Sequence, residues 1–424
     1  MEQAHEIQAL AQEIHMVAMR APAGVSQDPE ASKRLRQLSK NLTSCLQTPD
    51  QVVMSTAYSG LKLACVRIAI NMRLFDTLTR SDGPLGVKDL AKTCNADESF
   101  VLRVGRMLVE MRFIDEMDGG FSANAVTKHM TIPSVEAGMK IHFDQGFPIL
   151  VHTPAYFEFN GYQVPISEDD SPFKWAFNTT DDVYTHWSKQ PGVMETFSVF
   201  MQGMFQSSQW LAPTDWFPFD EVCFDSFDQA RGDGYSFVEI GGGKGDRMQA
   251  LVEKYPNARG KLLLQDTPAV IEDIAKSSRK LSCRIETMAY DFLDEQPITG
   301  AKTYFLENIL HNWTDGVCLK ILANVRQAMT RGYSKLLVSN IVMPDSGASL
   351  AETGLDILML LCTGGSQRND EQWHNLLETA GFRIVKIWMP PGAGNGVIEA
   401  AVDLGRQSVE CPKAVSEVEV CLKE

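Results

Sequence analysis

Residues 237–246 read FVEIGGGKGD, an apolar run that stops on three glycines and gives way to RMQALVEKY at 247–255. The spacing predicts a strand before the glycines and a helix after them. Glycines at such a turn let the backbone reverse tightly and let a ligand approach with no Cβ in its way, and the helix start offers free N–H donors. The turn is not a phosphate-cradling P-loop, which requires a Lys-Ser/Thr pair at a fixed distance. A strand, a glycine turn and a helix in this order predict an α/β fold, a Rossmann-like doubly wound sheet.

Downstream the pattern continues. Apolar runs recur at 262–265, 284–290, 303–308, 336–342, 382–389 and 397–402, with helical spacing between most of them, as a mostly parallel sheet requires. The next strand ends in LLLQDTP, which places Asp266 where a carboxylate can take both ribose hydroxyls of an adenosine. The one after ends in MAYDF, which places Asp291 to accept from an adenine amino group and Phe292 to stack on the base. Gly241, Gly242, Gly243, Gly245, Asp266, Asp291 and Phe292 are therefore cofactor-binding candidates. A dinucleotide fits the glycine turn and Asp266 equally well.

Upstream, residues 140–215 are rich in aromatics and methionine. Flat, polarisable side chains beside a cofactor domain make a wall for a planar ligand as well as a core, and Trp187, Phe200 and Met204, with Met359 further on, are the substrate-binding candidates. Residues 83–130 outline a helix-turn-helix with a wing. They hold six basic against seven acidic side chains, so the basic footprint of groove binding is missing and a structural or dimerising role is expected. From Ser55 to Leu78 apolar residues are nearly continuous, which predicts a helix buried on most faces. Residues 1–50 read as a leader or a dimer arm, and 406–424 as a loose tail. The expected division is 51–150 winged helix, 151–230 aromatic-rich linker and 231–405 cofactor domain.

Composition bounds the rest. Of 424 residues, 44% are hydrophobic and the formal charge is −15, so phosphate backbones and anionic membranes are poor partners and a small molecule is expected. Nine cysteines are scattered without a CxxC or a His cluster at ligand spacing, which predicts a reducing, cytoplasmic setting and no metal. The acidic start MEQAHEIQAL lacks the basic, apolar pattern of a signal peptide.

Taken in order, VEIGGGKGD, LLLQDTP, YDF, ILHNWTDG, LLVSNIVMPD, LDILMLLCTGGSQR and EQWHNLLETAGF resemble the caffeate-type class I O-methyltransferases, in particular their fungal secondary-metabolism branch, over about Ala57 to Asp403. The resemblance implies S-adenosyl-L-methionine as cofactor, a winged-helix dimerisation domain and a homodimer, and methylation of a hydroxyl on a phenolic or polyketide-like metabolite. It makes His311 the general base that accepts the hydroxyl proton during attack on the methyl group. Where the family carries carboxylates around that histidine, this chain has Asn312, Asn340 and Gln367. Where it often has Lys or Arg near the cofactor, it has Glu307. Amides orient an imidazole through their oxygens but do not stabilise imidazolium by charge. Some relatives of this family promote pericyclic or dehydration steps instead, and the missing carboxylates make such a non-methylating enzyme the alternative.

Overall fold

The computed structural model describes residues 2–20, 28–117, 119–167, 170–206, 213–392 and 394–403. The chain forms two compact units, Met1–Phe143 and Asp144–Glu424. The first opens with α1 (Glu2–Met19) and α2 (Pro29–Leu46), packed side by side. Asp28 caps α2 by accepting from the Ala31 amide, with Pro29 at the first helical position. Cross-links between the pair include Arg34 with Glu13 and the Gln3 amide donating 2.7 Å to the Cys45 carbonyl. Residues 2–20 and 28–46, expected as a leader or a dimer arm, thus form a helical pair.

Next come α3 (Pro49–Ala57), α4 (Ser59–Asn71) and α5 (Leu74–Thr79). A capping box between Thr48 and Gln51 starts α3, and the axis bends by 44° into α4. The single buried helix expected over Ser55–Leu78 is therefore three helices. α3 buries nothing, and within one chain Val53 and Leu61 stay exposed, because apolar spacing says that a face wants cover but not whether this chain supplies it. β1 (Leu85–Gly86), α6 (Val87–Thr93), α7 (Glu98–Glu110), β2 (Asp115–Met117) and β3 (Gly120–Ser122) make the winged helix, with sheet order β1-β3-β2. Its core joins Val66, Phe75, Leu90, Val101, Leu108 and Phe121. α8 (Ala125–His129) and α9 (Pro133–Ile141) close the unit.

The second unit begins with α10 (Phe147–Phe159), α11 (Pro172–Phe177), α12 (Val183–Ser188), α13 (Val193–Gln206) and the short α14 (Pro213–Trp216). The sheet follows: β4 (Tyr235–Ile240), α15 (Asp246–Lys254), β5 (Lys261–Asp266), α16 (Pro268–Lys276), β6 (Ile285–Ala289), β7 (Thr303–Glu307), α17 (Asp315–Ala328) and β8 (Lys335–Asn340). After a two-residue pair, β9 (Val342–Met343) with β10 (Arg368–Asn369), flanking α18 (Leu350–Thr363), come α19 (Asp370–Thr379), β11 (Phe382–Trp388) and β12 (Gly396–Val402). The seven-stranded order is β11-β12-β8-β7-β4-β5-β6. β4 to β8 run parallel, and β12 pairs antiparallel with both β8 and β11.

Alternation along the strands covers both faces, as a parallel sheet demands. Val238, Leu306 and Val338 pack with Ile321 and Trp373 on one side. Phe237, Phe305 and Leu337 pack with Phe219 and Met248 on the other. Chain direction across the sheet reverses on either side of β4, and in doubly wound sheets the crevice beyond the strand ends at that point is where ligands bind. Among the described residues no single helix is long and apolar enough to cross a membrane.

Candidate active site at the strand ends

β4 delivers the chain into the glycine turn. Gly241, Gly243 and Gly245 all have positive φ, between 56° and 79°, which side chains with a Cβ rarely adopt. A Cβ on Gly241 would strike the Ile309 side chain, whereas one on Gly243 would meet nothing within 4 Å. The turn is packed on one side and open on the other. Gly243 donates its N–H to Asp266 Oδ2 at 2.8 Å and Thr267 donates to Oδ1 at 2.7 Å. Each carboxylate oxygen keeps lone-pair capacity for a further donor, and burial holds the Asp266 pKa above its usual range. At the end of β6, Asp291 is exposed, its Oδ1 accepting from the Leu293 amide at 2.9 Å. Half-buried Phe292 sits edge-on to Trp313, with centroids 5.8 Å apart. An open glycine face, two carboxylates and an aromatic ring at adjacent strand ends suit a nucleoside.

Glu307 is held elsewhere. At the end of β7 it accepts from Arg247 Nε at 3.1 Å and from Ser339 Oγ at 3.3 Å, with side-chain exposures of 14% for Arg247 and 6% for Glu307. Burial raises its pKa, and Arg247 opposes the rise. Glu239 lies against the same pair, its pKa raised well above the usual range by burial first and the Glu307 charge second. Arg247, on α15, escaped sequence reasoning because its partner lies 60 residues away at the end of β7.

His311 sits in a one-turn 3₁₀ helix, Leu310–Asn312, beyond β7. Of the three amides expected around it, one touches it: the Gln367 amide nitrogen lies 2.7 Å from Nδ1. Asn312 points back to donate to the Asn308 carbonyl at 3.0 Å, and fully buried Asn340 has neither amide atom in a hydrogen bond. The Gln367 backbone N–H donates to Asp356 of α18 at 2.7 Å. Gly365 lets this segment lie against the His311 carbonyl, into which a Cβ would run. Next along, Arg368 donates to the Leu310 and Trp313 carbonyls at 3.0 and 3.1 Å and to Asp315 at 2.6 Å. Burial pushes the imidazole down to about 4; the Gln367 bond acts against this and the Arg368 charge with it. Asn308, at φ 55°, is steadied by Asn395, whose amide donates to Asn308 Oδ1 at 2.8 Å.

On the helical side, Trp187 is buried with its Nε1 in no hydrogen bond and packs 5.2 Å from Phe197. Phe200 on α13 and Met359 on α18 are half-buried. The side chain of Met204 lies outside the described residues, as do residues 207–212 and 404–424. Sequence reasoning did not single out Tyr184. Its hydroxyl is pushed up to about 12, chiefly by burial and further by the charges of Cys362, Asp182 and Asp266, yet 38% of the residue remains free. Its hydroxyl lies within charge range of Asp266.

Such a crevice on a doubly wound sheet defines an α/β enzyme of the nucleoside-binding kind. Residues 164–383 match the O-methyltransferase domain family and residues 54–131 the O-methyltransferase dimerisation domain, and the chain belongs to this O-methyltransferase family. The O-methyltransferase penC of Penicillium thymicola is 33% identical over 88% of this chain and 92% of its own. A solved structure of LepI in complex with SAM superposes with a TM-score of 0.81 at 28% identity, covering 94% of this chain and all of that one. Another solved relative, described as a pericyclic reaction enzyme, gives 0.81 at 27% identity over the same shares.

Proposed function

We propose that this O-methyltransferase uses S-adenosyl-L-methionine to methylate a hydroxyl of a phenolic or polyketide-like secondary metabolite, as a homodimer, with His311 as general base. The observation that carries the reading is the meeting of two groups at the same end of one sheet: the open Gly243 turn with its paired Asp266, and the buried, uncharged His311. The donor set fits the cofactor, since Asp266 has lone pairs to spare for two ribose hydroxyls, Asp291 and Phe292 offer an acceptor and a ring just beyond β6, and Gly243 leaves room for backbone approach. When bound, S-adenosyl-L-methionine supplies an electrophilic methyl on a sulfonium. Glu307, expected near the cofactor, is held by Arg247 and Ser339 at the end of β7.

When Gln367 turns its carbonyl oxygen to Nδ1–H, the tautomer that results puts the imidazole lone pair on Nε2. The two ends of an amide are nearly isosteric, and this orientation gives the buried Gln367 Oε1, which has no partner, a donor. With the imidazole near 4, full proton transfer from a phenol of pKa about 10 spans about six units, or about 8 kcal/mol. The proton must therefore move in concert with attack. Trp187, Phe200 and Met359, with Tyr184, form the described part of the substrate wall.

A second reading is favoured by the neutral amides around His311: a non-methylating, pericyclic or dehydrating enzyme on the same frame. Incubating the purified protein with labelled cofactor and candidate metabolites separates the two. S-adenosylhomocysteine formed in step with a product one methyl heavier supports transfer; rearranged product of unchanged mass without S-adenosylhomocysteine rejects it.

A further inference from the structure

His311 is ringed by groups that carry no charge. Its Nδ1 meets the Gln367 amide at 2.7 Å, the ring also reaches the Asn308 carbonyl, and Asn312 lies alongside in the same turn. Two charges stand nearby. Arg368, almost wholly buried, lies against the backbone at both ends of the 3₁₀ turn, while its partner Asp315 keeps 71% of its side chain in solvent. Asp356 accepts the Gln367 backbone N–H at 2.7 Å. Among the described residues no carboxylate contacts the imidazole, and Arg368 is the charge it feels. A proton placed on His311 would be buried near the Arg368 guanidinium with no carboxylate in contact with the ring, so the ring holds a proton poorly.

A weak base selects its partner. An ordinary phenol gives up its proton only to a base not far below it, whereas an enol conjugated to a carbonyl spreads its negative charge over two oxygens and is far more acidic. From this geometry we infer that the hydroxyl methylated here is an acidic enol in conjugation with a ring carbonyl, matched to an uncharged base that gets no help from a carboxylate. The inference deepens the methyl-transfer reading and rests on it. In the step itself the enol proton passes to His311 Nε2 while the oxygen's electron pair forms the bond to the methyl carbon. The methyl–sulfur bond breaks with its pair left on sulfur, so one positive charge leaves the sulfonium, appears on the imidazole and departs with the proton to solvent. Gln367 is the positioning residue that orients this base without lending it a charge.

Two isomers on one skeleton test it: 4-hydroxycoumarin, whose hydroxyl is an enol conjugated to the lactone carbonyl, and 7-hydroxycoumarin, whose hydroxyl is a phenol. Binding is measured by calorimetry with S-adenosylhomocysteine present, and transfer by S-adenosylhomocysteine release from the labelled donor. The enol isomer is expected to bind more tightly and to show kcat/KM about 100-fold higher, the size of a general-base contribution. In Gln367→Glu a carboxylate strengthens the base, and the enol-to-phenol ratio should fall about tenfold. Equal or better use of the phenol, or a ratio unmoved by Gln367→Glu, overturns the inference. If neither isomer is methylated, calorimetry decides: enol preference that Gln367→Glu reduces upholds the acidic-hydroxyl inference and rejects methyl transfer, and equal or absent binding overturns the inference itself. The unmodified protein alone tests the preference should the variant fail to fold.

Discussion

At the scale of single residues, His311 joins chemistry to stability. Its pKa is lowered to about 4 in the folded chain and stands near 6.5 when unfolded. Below pH 6.5 the unfolded chain takes up a proton that the folded one refuses, so stability is full above that pH and drains away as pH falls towards 4, by up to about 3 kcal/mol. Denaturant unfolding of His311→Gln against the parent should show this acid loss reduced; identical pH profiles would remove His311 as its source. As general base, His311→Ala should lose about 10²- to 10⁴-fold in turnover while its calorimetric affinity for S-adenosylhomocysteine is unchanged. Asp266→Ala should do the reverse to binding, weakening that affinity at least tenfold or so through two lost charge-assisted hydrogen bonds. The residue types at 266 and 311 were readable in the sequence because the turns that present them are local. That Gln367, rather than Asn312 or Asn340, meets the imidazole was not readable, because it depends on how the 3₁₀ turn aims its side chains and how β9 aligns with β10.

At the scale of elements, the close approach of the GGSQ segment to the 3₁₀ turn sets the His311–Gln367 distance. Gly365→Ala would press a methyl against the His311 carbonyl. The expected result is a drop in kcat of about a hundredfold from displacing a catalytic pair, with the circular dichroism of the sheet retained. An unaltered kcat would show that the approach is not needed. Beneath the glycine turn, Arg247 anchors α15 to β7. Arg247→Met leaves two buried carboxylates without a cation and should cost about 3–5 kcal/mol in denaturant unfolding. Glu307→Gln added to it should restore much of the loss; no recovery would mean that Arg247 acts by packing alone. The strand series and the glycine turn were legible because hydrophobic alternation and glycine spacing are short-range signals. The ion pair was not, because it joins an element start to an element end that only strand order brings together.

At the scale of the whole molecule, α3 and α4 expose Val53 and Leu61 in a single chain, next to or within the segment matching the dimerisation domain. Sedimentation should show a dimer, and Leu61→Glu should shift it towards monomer by placing a charge in an apolar contact. A dimer indifferent to that charge would locate the contact elsewhere. Sequence periodicity marked this stretch as apolar but read it as one buried helix, since a chain's own spacing does not distinguish its core from the surface a second copy covers.

Among the described residues the strand furthest along the chain, β12, is not the outermost one in the sheet. β12 wedges between β8 and β11, which have no other way to meet, and the residue just before it, Asn395, holds Asn308 beside the reaction centre. Completion of the sheet and support of Asn308 therefore both wait on β12. A nascent or clipped polypeptide ending near residue 390 would already carry the glycine turn and both strand-end carboxylates, yet would present two raw sheet edges and an unsupported Asn308. Such a fragment is a candidate for aggregation and degradation rather than a smaller enzyme.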